Sequence, residues 1–141
     1  MNRFFLLLTC VVLSLTIKAQ TPLNLLELQP DTTFDNIHVQ PLASDSLVSS
    51  FVVWVKKEVR LHHHAFHTET LLILEGTANM VVGDENVEVG PGDFLAIPKT
   101  TPHDLTVTSD TPLKALSIQA PKFQGKDRVF AGQVRKPPGQ K

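Results

Sequence analysis

Cysteine is almost missing from this 141-residue sequence, which has only Cys10. One thiol excludes a disulfide framework within the chain, a paired-cysteine redox centre and a cysteine-based zinc cluster. A bound metal would have to be held by histidine and carboxylate. A basic excess is missing too. Thirteen Lys and Arg stand against fourteen Asp and Glu, a formal charge of −1, whereas a partner of the phosphate backbone needs a cationic surface. Nucleic acid is therefore not an expected partner. Nor is there a long hydrophobic run: the one from Phe4 to Ile17 ends at Lys18, short of the roughly twenty residues of a membrane-crossing helix. With 42% apolar residues the chain can still bury a core, and its length suits one compact domain.

That first apolar run is flanked by Arg3 before it and the small Ala19 after it, the layout of a cleaved secretory signal over residues 1–19. A membrane anchor would need a longer run. A lipoprotein cysteine at Cys10 would leave only a stub of apolar sequence before it. Cleavage after Ala19 removes Arg3, Lys18 and Cys10, so the mature chain has eleven cationic against fourteen acidic residues, a charge of −3, and no cysteine. Such a chain suits an oxidising compartment. The absence of an arginine pair before the run argues for export unfolded, with metal loading outside the cytoplasm. The expected location is exported, periplasmic or secreted, with no membrane contact after cleavage.

Residues 20–33 are polar and proline-punctuated around a short apolar stretch, and read as an arm or a single helical turn. From Asn36 onward, short apolar runs with a period near two are separated by Gly, Pro, Asp and Ser, the pattern of an all-β sandwich or barrel. Strands are expected at 36–42, 48–56, 59–64, 70–75, 78–82, 86–89, 94–97, 104–108 and 113–120. Turn signals at Gly83-Asp84-Glu85-Asn86 and Gly90-Pro91-Gly92-Asp93 support those boundaries. The domain is expected over 34–130, with a flexible tail at 131–141 rich in Lys, Gly and Pro.

Four of the six histidines crowd into Leu61-His62-His63-His64-Ala65-Phe66-His67-Thr68-Glu69. On a strand, side chains alternate between faces, so His62 and His64 share one face and His63 takes the other. A turn at 65–68 would bring the next strand back beside the first with Glu69 at its start, and His103 opens a later strand after Pro98-Lys99-Thr100-Thr101-Pro102. Three imidazoles and a carboxylate could then meet inside a barrel, a set suited to divalent first-row metals. Four protein ligands on an octahedral ion would leave positions open for substrate or dioxygen. The competing reading is a solvated, histidine-rich strand end that picks up metal adventitiously.

The spacing resembles that of the cupin superfamily, whose two motifs read G(X)5HXH(X)3–4E(X)6G and G(X)5PXG(X)2H(X)3N. His62, His64, Glu69 and Gly76 match the first from its histidines onward, and Gly92, Pro98 and His103 match the second. The departures, Lys56 and Thr100 for glycine and Val107 for asparagine, fall at turns or strand ends. The resemblance implies a single-domain jelly-roll, or double-stranded β-helix barrel. It also implies His62, His64, Glu69 and His103 as ligands to one divalent transition-metal ion (Fe, Mn, Ni, Zn or Cu), a small-molecule ligand or substrate, and a homodimer. Cupins host many unrelated activities, so the fold does not name a reaction.

Around that site, Arg60 shares the alternation of His62 and would point inward if no bulge intervened, holding an anionic group or lying at the barrel mouth. His67 reads as a proton shuttle at the mouth or as a surface histidine. These two are the candidate catalytic groups. Phe66, Leu71, Ile73, Met80, Val82, Phe94, Leu105 and Val107 read as core or pocket wall, and Lys126, Asp127 and Arg128 as a solvated charge cluster, with a lid or an intersubunit ion pair as the alternative. The run Phe51-Val52-Val53-Trp54-Val55 is apolar on both faces, so both faces should be covered, Trp54 packing between sheets or between subunits. The functional expectation is a metal-dependent oxygenase, decarboxylase or isomerase. The alternative is a non-catalytic module that captures a metal or small ligand, with a structural or storage role as a third reading. A charged group poised beside the metal would favour the enzyme.

Intact-mass measurement on protein from its native host is expected to give a chain lacking residues 1–19. A mass that includes them, or a lipid on Cys10, would reject the signal.

Overall fold

The computed structural model describes residues 21–130. The expected signal and the tail at 131–141 lie outside the described residues. Among those described there is no helix, and the strands are β1 (Ile37–Ser44), β2 (Ser49–Val55), β3 (Glu58–His64), β4 (Thr68–Glu75), β5 (Ala78–Val82), β6 (Glu85–Val89), β7 (Phe94–Ile97), β8 (His103–Val107), β9 (Leu113–Ala120) and β10 (Arg128–Phe130). They form two five-stranded sheets, ordered β1-β2-β9-β4-β7 and β10-β3-β8-β5-β6, with every pairing antiparallel. No helix spans the layers, so the core is the space between the sheets.

Alternation decides what enters that space. On β4, Glu69, Leu71 and Ile73 turn inward; on β9, Leu113, Ala115, Ser117 and Gln119 do. The register sets Ile73 beside Ala115, Leu71 beside Ser117 and Glu69 beside Gln119. The first sheet therefore grades from apolar to polar along its inner face. The facing sheet grades the same way. Ala78, Met80 and Leu105 join Val55, Ile73, Leu71 and Leu113 in the core, while the histidines of β3 and β8 lie at the polar end. Each fully buried aliphatic side chain here stabilises the fold by about 1.5–3 kcal/mol.

Four features depart from the sequence expectation. The strand after the histidines does not return beside β3: β4 belongs to the opposite sheet, so the turn at 65–68 crosses between layers and Glu69 faces the histidines across the interior. Phe94 is 68% exposed and not core, because on the edge strand β7 the inward parity belongs to Leu95 and Ile97. The three-residue β10, too short for any alternation to show, pairs with β3 where a solvated charge cluster was expected. The outer side of Trp54 is covered within the chain itself, by Lys114 of β9 and His38 of β1, with the arm reached through Lys114. Lys114 is fully buried beside Trp54 and donates to the Leu26 carbonyl at 3.0 Å, while His38 tilts over the indole at 5.6 Å. In that arm the local structure is a turn at residues 25–27.

The motif glycines have distinct reasons. Gly76 has φ of 72°, and a methyl group there would lie 2.8 Å from the Pro112 carbonyl oxygen and 2.9 Å from the Leu113 Cα. At the second motif's glycine position, Thr100 itself adopts φ of 68°, a conformation costly for a β-branched residue. It is held there by its amide, which donates to the His64 carbonyl at 2.7 Å. Thr100→Gly should therefore stabilise the protein by up to about 1 kcal/mol, relief of backbone strain being partly offset by glycine's larger unfolded-state entropy. Gly76→Ala should destabilise it by about 2 kcal/mol or more. Urea denaturation of both variants checks this; a Thr100→Gly midpoint below the parent's would contradict it.

Candidate metal centre

On β3, His62 and His64 point inward at 4% and 3% exposure, and His63 faces the other way, half-buried. Val59 pairs with Leu105 and His62 with His103, so β3 carries one extra residue between them. This bulge corrects the expectation for Arg60. With the extra residue, Val59 and not Arg60 shares the inward face, and both Arg60 and Leu61 are exposed. The Arg60 guanidinium lies over the Phe130 ring, 5.1 Å from its centroid, outside the cavity.

His103 opens β8 directly opposite His62, with ring centroids 4.3 Å apart, and the His64 ring lies 5.4 Å from that of His103. One nitrogen from each of the three rings falls within 4.8 Å of the others. Glu69 completes the group from the opposite sheet, its Oε2 3.2 Å from His64 Nε2 and 3.4 Å from His103 Nε2. Its other oxygen accepts hydrogen bonds from Ser117 at 2.5 Å and Gln119 at 3.3 Å. The sequence-expected His62, His64, Glu69 and His103 are thus brought together.

The imidazoles are preset in tautomer. His62 Nδ1 lies 2.8 Å from the Arg60 carbonyl and His103 Nδ1 lies 3.0 Å from that of Thr101. A carbonyl only accepts, so both Nδ1 atoms carry the proton and both Nε2 lone pairs are free. His103 Nε2 is buried with no aligned hydrogen-bond partner. Three imidazole nitrogens and a carboxylate oxygen, with two rings fixed by backbone carbonyls, fit a divalent first-row ion.

Asp127 is the residue that sequence reasoning missed. It is 1% exposed, accepts a short hydrogen bond from His67 Nδ1 and another from the Phe66 amide at 3.0 Å, and lies 3.4 Å from His64 Nδ1. His67 is correspondingly not a surface residue: it is 4% exposed, with Nε2 donating to the Lys122 carbonyl at 2.9 Å. His64, His67 and Asp127 form a second cluster of metal-ligating side chains beside the first. No alternation marks Asp127. Its only signal is an acid flanked by Lys126 and Arg128, which reads as solvated.

These groups open onto a cavity of about 460 Å³. Its wall includes Val53, Leu71, Met80 and Leu105, the four residues Glu69, His62, His64 and His103, and also Asp127 and Arg128, but neither Arg60 nor His67. Burial pushes the His62 imidazole down from 6.5 to about 3, with the neighbouring His103 adding to the effect and the Arg60 carbonyl opposing it. For Glu69 burial opposes ionisation, yet the facing His103 and His64 and the Ser117 hydroxyl outweigh it and hold the carboxyl well below its usual 4.5.

The cupin domain family matches residues 50–119, a span that holds all four converging residues and leaves out Asp127 and Arg128. An uncharacterised protein of Aquifex aeolicus is 32% identical over 95 residues, covering 67% of this chain and 78% of that one. Quercetin 2,3-dioxygenase of Bacillus subtilis is 40% identical over 48 residues, 34% of this chain but 14% of the dioxygenase. Among solved structures, a conserved protein with a double-stranded β-helix domain from Klebsiella pneumoniae superposes with a TM-score of 0.66 at 16% identity, covering 79% of this chain and 98% of that one.

Both pKa shifts have one sign for stability. Folded His62 stays neutral down to about pH 3, whereas the unfolded ring binds a proton below its usual 6.5. The unfolded state therefore holds more protons in that window, and stability falls as pH drops through it. Glu69, depressed below 4.5, adds to the loss at lower pH. The urea midpoint of the metal-free protein should fall steadily from pH 7 to pH 4, and His62→Gln should flatten the upper part. A midpoint independent of pH between 7 and 5 would contradict the burial of a neutral His62.

Proposed function

Since this chain belongs to the cupin family, we propose that it holds one divalent transition-metal ion through His62, His64, Glu69 and His103 and acts with it on a small molecule in the apolar cavity. The observation that carries this reading is the buried His103 Nε2 with no aligned partner, facing a carboxylate at 3.4 Å. A buried acceptor without a donor costs about 1–3 kcal/mol, and a bound cation would remove that cost. When bound, such an ion supplies Lewis-acid or redox chemistry of the kind used by oxygenases, decarboxylases and isomerases. The likeness to a quercetin 2,3-dioxygenase supports a reaction over simple capture.

The chain's residues have separate tasks in this reading. Glu69 brings the one negative charge, aimed by Ser117 and Gln119. The carbonyls of Arg60 and Thr101 keep the lone pairs of His62 and His103 inward, and Asp127 faces Nδ1 of His64. The apolar wall keeps water scarce, which strengthens every charge inside. A second reading, capture without turnover, draws on the placement of Arg60 outside the cavity and on the absence of His67 from its wall, both ring nitrogens of His67 being engaged by Asp127 and the Lys122 carbonyl. Export of the mature chain and pairing of two copies belong to the proposal on the strength of the sequence.

Purified protein is expected to bind about one divalent ion per subunit. His62→Ala and His103→Ala should lower the stoichiometry sharply and His63→Ala should not. Glu69→Gln should weaken affinity about tenfold or more, whereas Glu75→Gln and Glu58→Gln should leave it unchanged. Elemental analysis and metal titration measure both; equal metal content in the His62, His63 and His103 variants would reject the ligand assignment.

A further inference from the structure

Two cations on the cavity wall are not used by the histidine centre, Arg128 and the exposed Lys126. Arg128 stands on β10 directly opposite His64 in the ladder, half-buried and on the cavity wall. Its charge reaches His62, where it is among the influences lowering that imidazole. No carboxylate among the described residues pairs with it. The acids of the same cavity are engaged elsewhere: Glu69 with Ser117, Gln119 and His64, Asp127 with His67 and the Phe66 amide, and Asp104 with the Val81 amide at 3.2 Å. Residues 1–20 and 131–141 contain no Asp or Glu.

A half-buried guanidinium with no counter-ion leaves its charge only partly compensated, and an anionic ligand pairs with it. We propose that Arg128 is the anion-binding residue of this cavity, and that its ligand is a small monocarboxylate whose apolar body lies against Phe51, Met80 and Leu105. The planar guanidinium fork matches a carboxylate in two parallel hydrogen bonds. Lys126 on the same wall is exposed, where water screens its charge, and a phosphate dianion would bring more charge than the half-buried guanidinium balances within an apolar wall. The bulge on β3 that turns Arg60 out leaves this role to a residue from another strand, beyond the span of the family match. The proposal rests on reading the cavity as a ligand site and does not require the metal.

The test is calorimetric titration of the full chain, chelator-treated and metal-loaded, with benzoate and with the uncharged benzamide. Benzoate should bind about tenfold or more tighter than benzamide in both states. In the chelator-treated protein Arg128→Gln should abolish that preference, Arg128→Lys should keep part of it, and Arg60→Gln should keep all of it, with circular dichroism confirming that each variant is folded. The proposal is overturned if the chelator-treated parent does not prefer benzoate, or if folded, chelator-treated Arg128→Gln prefers it as the parent does. Arg128-dependent benzoate binding by a protein that takes up no metal would reject the metal assignment and uphold this one. Metal uptake combined with benzoate binding indifferent to Arg128 would do the reverse.

Discussion

Glu69 brings a negative charge between two sheets, where an unpaired carboxylate would destabilise the fold by several kcal/mol. The polar end of the interior is organised around satisfying it. From its own sheet, Ser117 and Gln119 on β9 donate to one oxygen. From the facing sheet, His64 and His103 approach the other. Of the two imidazoles only His64 can donate through Nε2, because His103 carries its proton on Nδ1 toward the Thr101 carbonyl and turns a lone pair to the carboxylate. The two sheets are thus coupled at this end by directed polar contacts, and at the other by the packing of Val55, Ile73, Met80 and Leu113.

Asp127 extends the arrangement to the end of the domain. Its backbone carbonyl accepts from the Ala65 amide at 3.4 Å and its carboxylate from the Phe66 amide and His67. The turn that crosses between the sheets is therefore fixed by the segment leading into β10. Without those contacts the donors of the 65–67 turn would face a low-dielectric interior unpaired. The same residue lies against His64, so the backbone of the turn and the orientation of an imidazole depend on one side chain.

How far the molecule can be read from its sequence follows from the range of each signal. Period-two alternation is local, and it locates β1 to β9 within about two residues. The His62, His64 and Glu69 spacing is also local, and parity alone separates His63 from its neighbours. Arg60 shows where parity stops: a single extra residue on β3 inverts the face of everything before it, and only the partner strand β8 reveals the insertion. Phe94 illustrates the same point on an edge strand, where hydrophobicity suggests burial and register denies it. Asp127 and Arg128 were illegible because three residues carry no period, and because an acid between two cations reads as solvated until the long-range pairing with β3 is known.

That pairing explains how β3 comes to stand at the centre of the site. It lies between β10 and β8, so both of its edges are occupied. The residue opposite His62 on one side is His103 and the residue opposite His64 on the other is Arg128. Directly opposed residues in an antiparallel ladder share a face with Cβ atoms roughly 5 Å apart, so register alone delivers two further side chains to the pair of imidazoles. A slip of one residue would turn His63 inward and His62 and His64 out, with the partners left facing the wrong face. The bulge that expels Arg60 is what aligns His62 with His103, and so the position lost to one arginine and the junction of three imidazoles are consequences of the same inserted residue.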